Sequence, residues 1–155
     1  MNLEKLIIYI CQNYPHPREL SKARLTKIVY LADWKSCQKN GHQLTDIVWY
    51  FDNFGPYVDD IVNEARLSGS LRVELEKNIY GNTKERISLS SDIEKIKINE
   101  IYAEIVDEVI EETRDLYWED FIRYVYRTEP IRTSERYSTL NLEKISRRSR
   151  NNDNW

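Results

Sequence analysis

Two stretches near the start of the chain place apolar residues three and four positions apart, a pattern typical of amphipathic helices. Pro15 and Pro17 end the first stretch, because proline cannot donate a backbone hydrogen bond within a helix. In the second stretch, Ser21 stands at the N-cap position, and Gly41 follows Asn40 where a left-handed residue commonly ends a helix. The pattern therefore predicts two helices joined by a proline loop.

After the second helix the spacing of apolar positions changes to two, which is typical of a strand. Residues 46–51 form this strand, and its apolar face consists of Ile47, Trp49 and Phe51. Gly55 and Pro56 then favour the start of a third helix, since proline is well tolerated in a first helical turn. We expect that helix to end near Leu67.

The second half of the chain begins with two alternating runs, 71–77 and 84–89, which predict a β-hairpin around Gly81. A long helix follows, with three possible capping residues: Ser90, Ser91 and Asp92. Its predicted buried stripe comprises Ile98, Ile101, Tyr102, Ile105 and Val109. A shorter helix is predicted from Leu116, Trp118, Phe121, Ile122 and Val125, and residues 127–134 read as an exit loop.

The predicted order is helix, helix, strand, helix, hairpin, long helix and helix. It indicates an α+β, predominantly helical fold: a compact single domain with a small antiparallel sheet made of the strand and the hairpin. A chain of 155 residues is long enough to bury a substantial core. We place the domain at residues 1–138, and expect residues 139–155 to form a basic, flexible C-terminal tail.

Composition and charge narrow the possible partners. The formal net charge of −3 argues against a broad phosphate-binding surface, so a nucleic-acid partner is not expected. Cys11 and Cys37 have no CxxC spacing, which favours a reduced pair in a cytoplasmic protein. No apolar stretch approaches the length of a membrane span.

Residues that could support catalysis are sparse. His16 and His42 lie far apart in the sequence and lack nearby ligand or triad partners, so neither a metal site nor a catalytic residue is predicted. The four glycines are single turn residues and do not form a phosphate-binding loop, and no cofactor is expected. The chain does not read as an enzyme, although an enzyme with an unrecognised site stays open as a hypothesis.

Two surface features bear on binding. An acidic row on the long helix is either a solvated face or a steering surface for a basic partner: Glu104, Asp107, Glu108, Glu111, Glu112 and Asp115. The element order is also compatible with a winged-helix DNA-binding regulator, which would place its third helix in the major groove. That helix has Asp59, Asp60 and Glu64 against a single arginine, Arg66, so DNA phosphates would repel much of it.

Two ordered sets of residues resemble the Panacea domain family, the SocA-like antitoxins of bacteria and phages. The first set is Lys22, Leu25, Lys27, Ile28, Tyr30, Leu31, Ala32, Gly41, Leu44, Trp49, Gly55 and Pro56, and the second is Tyr117, Trp118, Arg127, Thr128, Glu129 and Pro130. The resemblance implies a type II antitoxin that neutralises a cognate toxin, encoded by an adjacent gene, through direct protein binding. Delivery of the toxin to a protease is the other mode that it implies.

Exposed aromatic residues around Trp49 to Tyr57 are the predicted partner-binding anchors. They are Tyr50, Phe54 and Tyr57, and the acidic residues Asp59 and Asp60 are predicted to steer the partner. For Trp49, burial in the core is the favoured interpretation. The basic C-terminal segment is a further hypothesis for recruiting the partner or a protease.

Overall fold

The chain folds around its second helix, α2 (Lys22–Asn40), in which every residue from Arg24 to Trp34 is buried. The computed structural model describes residues 1–152. A helix that is buried on all sides must be surrounded by other elements. Helices from both halves of the chain and parts of both sheets pack against α2, and the core therefore forms around it.

Seven helices and five strands are present in residues 1–152. The other helices are α1 (Leu3–Asn13), α3 (Asp60–Leu67), α4 (Glu100–Thr113), α5 (Trp118–Tyr126), α6 (Glu129–Thr133) and α7 (Leu142–Asn152), with a 3₁₀ turn at Pro17–Glu19. The strands are β1 (Trp49–Asp52), β2 (Gly55–Pro56), β3 (Leu71–Lys77), β4 (Thr83–Leu89) and β5 (Thr139–Leu140). None of the helices in this part of the chain has both the length and the apolar character needed to cross a membrane.

The strands form two small antiparallel sheets. In the first, β1 lies between β2 and β5, with Phe51 opposite Pro56 and Trp49 opposite Leu140. In the second, β3 pairs with β4 along their full lengths. The N–H of Ile87 donates to the carbonyl of Leu20 at 3.0 Å, which ties this hairpin to the start of α2.

The predicted fold class is confirmed, and so are the two N-terminal helices and the hairpin. Ser21 Oγ accepts a hydrogen bond from the N–H of Arg24 at 3.1 Å, as expected of an N-cap. Gly41 ends α2 with a φ of 83°, in the left-handed region that a residue with a Cβ rarely adopts.

The prediction that Gly55 and Pro56 start the third helix is wrong, because these two residues form strand β2. Pro56 lies opposite Phe51 of β1. The helix α3 begins later, at Asp60. Proline is compatible with both positions, because the edge of a sheet, like a first helical turn, needs no N–H donor from it.

The long helix also begins later than predicted. Asn99 caps α4, its side chain accepting from the N–H of Ile101, whereas residues 90–99 are irregular. Ile101 is 58% exposed, so it does not belong to the buried stripe. That stripe consists of Ile105, Val106, Val109 and Ile110. The predicted exit loop 127–134 contains the short helix α6, with Pro130 in its first turn.

Residues 139–152 form β5 and α7 instead of the flexible tail that was expected. Leu140, Leu142 and Ile145 are buried, and α7 packs against α2. Asn141 accepts a hydrogen bond from the N–H of Lys144 at 3.1 Å at the start of α7. Three apolar residues thus anchor a segment whose basic composition suggested a solvated tail. The domain boundary at residue 138 stays a prediction, and the end of the expected tail, 153–155, lies outside the described residues.

Candidate partner-binding site

Asp33 is a buried carboxylate that holds the loop after α2 against the helix. Its Oδ1 accepts from the N–H groups of Leu44 and Thr45 at 2.8 and 3.0 Å. Its Oδ2 accepts from the Trp49 indole at 2.9 Å and from the Thr45 hydroxyl at 2.5 Å. Burial raises the pKa of Asp33 to about 6, against the opposing effect of these donors. The carboxylate therefore positions Trp49 at the start of β1, and Trp49 is fully buried, as the sequence favoured.

Arg24 is a second buried charge on α2, and its guanidinium has several partners. Its guanidinium donates to the Tyr14 hydroxyl at 3.0 Å and to the carbonyls of Thr113 and Leu116 at 2.9 and 2.8 Å. It also lies 4.4 Å from the centre of the Phe121 ring. This side chain joins α1, α2 and α5 to the C-terminal end of α4, where a cation is favourable.

Lys27 is a third buried charge on α2, and its surroundings differ. The residue is 2% exposed, yet its ammonium makes no hydrogen bond or ion pair with any of residues 1–152. Burial lowers the pKa of Lys27 to about 8, and the nearby carboxylate of Asp52 opposes that shift. The ammonium lies 5.9 Å from the centre of the Tyr57 ring.

Lys27 lines a cleft of about 490 Å³ between the start of α2, the β1–β2 turn and α5, and we call it the Lys27 cleft. It is lined by Lys22, Ala23, Lys27, Asp52, Asn53, Phe54, Tyr57, Asp59 and Trp118. Two of its aromatic residues are exposed to solvent, Phe54 at 77% and Trp118 at 45%. The cleft thus combines an almost buried cation with exposed aromatic side chains.

Gly55 allows the β1–β2 turn to approach Lys27 closely. Its φ of 104° is one that residues with a Cβ rarely adopt. A Cβ at this position would lie 3.3 Å from the Tyr126 ring and 3.5 Å from Lys27 Cε. Gly55 therefore lets the β1–β2 turn pack against the aliphatic part of Lys27, and Phe54 lies beside the cleft.

A second cleft, of about 540 Å³, adjoins the first. Both are lined by Lys22, Ala23 and Trp118, so Trp118 stands between them. Tyr117 lines the second cleft and is also exposed. The two clefts therefore lie side by side at the start of α2.

Three of the five predicted binding residues line the Lys27 cleft: Phe54, Tyr57 and Asp59. Burial, with the carboxylate of Asp59 nearby, raises the pKa of Tyr57 to about 12. Tyr50, at 36% exposure, and Asp60 are accessible but do not line this cleft. Binding roles for all five residues stay predictions.

Sequence reasoning missed Trp118 and Lys27 as candidate site residues. Trp118 helps to define the predicted short helix and belongs to the second set of family residues, and in the structure it is the first residue of α5, where a side chain is free to face outward. Lys27 was noted as a motif residue and nothing more. The sequence does contain an indication for Lys27, because this residue interrupts the apolar run from Leu25 to Ala32. A lysine within such a run is rarely buried unless it has a partner.

The acidic row on α4 is partly neutralised within the fold. Lys35 lies 3.1 Å from Glu108 and 2.7 Å from Glu112, and Lys39 lies 2.5 Å from Glu108. Tyr124 donates to Glu112 as well. Part of the row therefore pairs α4 with α2, and fewer carboxylates remain for steering a partner.

The cations of the hairpin region are similarly paired. Arg66 forms an ion pair with Glu85, and Arg86 lies 3.3 Å from Glu74 and 3.1 Å from Glu76. An arginine held by carboxylates is less available to a phosphate. This pairing weakens the electrostatic basis for DNA contact through α3 and the hairpin.

The two histidines lie at different surface positions. His16 Nε2 is 3.8 Å from Asp115 Oδ1, whereas His42 Nδ1 is 3.0 Å from the carbonyl of Gln43. Within residues 1–152, no group of three or more histidine, cysteine or carboxylate residues is placed to hold a metal ion. Cys11 is a buried thiol whose pKa burial raises to about 12.

Comparison with known proteins supports a family assignment. Searches of curated proteins and of solved structures give no match. The family model described as "Antitoxin SocA-like, Panacea domain" matches residues 25–130. The match spans most of α2, both clefts' aromatic residues and the start of α6, and it covers more than half of the chain. The chain therefore belongs to the SocA-like antitoxin family and contains its Panacea domain.

Proposed function

We propose that this protein is the antitoxin of a type II toxin–antitoxin system and neutralises a cognate toxin, encoded by an adjacent gene, by direct binding in the cytoplasm. The family supports an antitoxin role. The observation that supports a specific binding face is the Lys27 cleft with Phe54 and Trp118 exposed beside it. Large exposed aromatic residues beside a cleft are typical hot spots of protein interfaces.

The construction of the β1–β2 turn suits such a role. Backbone pairing on both sides of Asn53 and Phe54 holds the turn, because Asp52 pairs with Gly55 and Phe51 with Pro56. The N–H of Tyr57 also donates to the carbonyl of Tyr50 at 3.0 Å. Because these hydrogen bonds fix the backbone of the β1–β2 turn, Phe54 loses little conformational freedom when a partner binds.

The predicted acidic residues fit the edge of this face. Asp59 and Asp60 are exposed at the start of α3, and Asp59 lines the cleft beside Tyr57. Exposed charges at the rim of an interface mainly change the rate of association. We propose that Asp59 and Asp60 speed the docking of the toxin, and that Tyr50 extends the contact along β1.

The experiment co-expresses the chain with the protein encoded by each adjacent gene and measures growth rescue and a co-purified complex. We expect Phe54→Ala and Trp118→Ala each to weaken the complex by about tenfold or more. Tyr80→Ala is the matched control, since Tyr80 is an exposed aromatic residue at the tip of the β3–β4 hairpin, away from the cleft. Absence of rescue and of complex with every neighbour would refute the function, whereas unchanged binding of the Phe54 and Trp118 variants would refute the face.

Neutralisation by binding can end in inhibition or in degradation of the toxin. We propose direct inhibition as the main route, because the cleft itself supplies an interface that needs no third protein. Toxin abundance after synthesis is stopped distinguishes the two routes. A stable toxin in rescued cells supports inhibition, and a toxin that disappears in a protease-dependent way supports the adaptor route.

A winged-helix regulator remains the alternative function, and the charges of the fold oppose it. Asp60 and Glu64 lie on α3, the helix that would enter the major groove, and Asp59 is its N-cap residue. Arg66, on the same helix, is paired with Glu85. A gel-shift assay with the upstream DNA at low and high salt tests this alternative, and salt-dependent binding would support it.

A further inference from the structure

We propose that the ammonium of Lys27 binds a carboxylate of the toxin, contributed by an aspartate or glutamate side chain next to an apolar residue that packs on Phe54 and Trp118. This inference rests on the proposed antitoxin function and names the chemistry that the cleft recognises. It goes beyond the family assignment, which indicates a toxin partner but no recognised group.

Lys27 is almost completely buried and lies in the wall of the cleft. Its ammonium makes no hydrogen bond or ion pair within residues 1–152, and Nζ reaches the cleft surface, since it is not among the fully enclosed polar atoms that lack a partner. Burying a charge without a partner is unfavourable, and a lysine in this position gains most from an anion delivered into its pocket. The side chain reaches that anion through the cleft that it lines.

Charged side chains of both signs line the Lys27 cleft. Lys22 is paired with Glu85 at 3.2 Å, so its charge is already engaged. Asp52 and Asp59 also line the cleft, and neither lies within ion-pair distance of Lys27. These two carboxylates repel any anion, a phosphate dianion about twice as strongly as a single carboxylate, so the contact with Lys27 offsets the repulsion more readily for a carboxylate.

The Lys27 cleft is small, and aromatic side chains form part of its wall. A volume of about 490 Å³ accommodates a few side chains and not a folded element. Phe54, Tyr57 and Trp118 offer apolar surface beside the cation. An acidic residue adjoining an apolar one therefore matches both parts of the cleft.

The first test is the affinity of Lys27→Met for the adjacent-gene toxin, measured by titration of purified proteins. Methionine keeps an unbranched apolar stem and removes the charge. We expect binding to weaken by at least about 30-fold, as is typical when one partner of a buried charge pair is removed. Lys39→Met is the matched control, because Lys39 is a half-exposed lysine on the same helix, and its binding should change by less than about threefold.

The second test uses the wild-type complex and does not depend on a variant. A carbodiimide joins an amine to a carboxylate that touches it, so the treated complex should contain an amide between Lys27 and an aspartate or glutamate of the toxin, identified by mass spectrometry. If the wild-type complex forms but Lys27→Met binds equally well, or Lys27 is joined to no toxin carboxylate, this inference is wrong while the antitoxin function stands. If no complex forms at all, the proposed function itself fails.

Discussion

Arg24 and Lys27 lie about one helical turn apart on α2, and the two side chains differ in their hydrogen-bond partners. Arg24 donates three hydrogen bonds to Tyr14, Thr113 and Leu116 and stacks on Phe121. Lys27 makes no hydrogen bond or ion pair within residues 1–152, and its ammonium lies 5.9 Å from the centre of the Tyr57 ring. Both are almost completely buried. A buried charge with partners connects elements, while one without partners lowers stability unless a ligand pairs with it. The comparison separates what holds this fold together from what the fold offers to a partner.

Asp33, like Arg24, is a buried charge with several hydrogen-bond partners. Its replacement is predicted to cause the largest loss of stability. Asp33→Ala leaves two backbone N–H groups, the Thr45 hydroxyl and the Trp49 indole without their acceptor. We expect the free energy of unfolding to fall by about 3 kcal/mol, measured by urea denaturation. Asp46→Ala is the control, since Asp46 is exposed on the same loop and should change stability by less than about 0.5 kcal/mol. A loss below about 1 kcal/mol for Asp33→Ala would mean that water replaces the carboxylate.

Arg24→Met tests the partnered cation directly. The change leaves the carbonyls of Thr113 and Leu116 without their donor at the end of α4. We expect a loss of about 2 kcal/mol in the same denaturation experiment, because methionine preserves most of the packing on Phe121. Arg18→Met, at an exposed position of the 3₁₀ turn, is the matched control and should be close to neutral. Equal effects for the two variants would remove the distinction between Arg24 and a surface arginine.

Gly55→Ala perturbs the turn that sets Lys27 against the cleft. The added Cβ meets the Tyr126 ring at 3.3 Å and requires a φ near 104°. We expect a loss of stability of about 1–2 kcal/mol. Gly69→Ala is the control, because a Cβ there would have no heavy atom within 4 Å. If both alanine variants unfold at the same urea concentration, the close approach of the turn to Lys27 is not important for stability.

The periodic segments of the chain were predictable, and the contacts of isolated polar residues were not. Both ends of α2 were predictable from Ser21 and Gly41, because helix capping depends on local geometry. Gly55 and Pro56 suit a helix start as well as a strand, and only the pairing with β1 decides between them.

The candidate site was predicted in part, through its exposed aromatic residue Phe54 and its neighbours Tyr57 and Asp59. The sequence alone does not show that Arg24 and Lys27 differ, since both are basic residues near the start of the same apolar helix. Their difference depends on α4 and α5, which lie about ninety residues further along the chain. Trp118 likewise reaches the cleft only through the packing of α5 near the start of α2.

Lys27→Met is the smallest predicted change in stability, and its sign is opposite to that of Arg24→Met. Removing the buried, unpartnered charge should raise the free energy of unfolding by about 1 kcal/mol at pH 7. The pKa of Lys27 is about 8 in the folded protein, below its ordinary value of 10.5, so the folded chain releases this proton before the unfolded chain does. Because the unfolded state then holds more protons, wild-type stability gains from Lys27 as the pH rises through this window.

The measurement is the difference in unfolding free energy between Lys27→Met and the wild type at pH 7, 8.5 and 9.5. The advantage of the variant should shrink as the pH rises. The other ionisable groups that line the cleft are common to both proteins: Lys22, Asp52, Tyr57 and Asp59. Lys5→Met, at an exposed position of α1, is the control and should show no comparable trend. A Lys27→Met protein that is less stable than the wild type at pH 7 would show that Lys27 supports the fold as Arg24 does, and the contrast between the two cations would disappear.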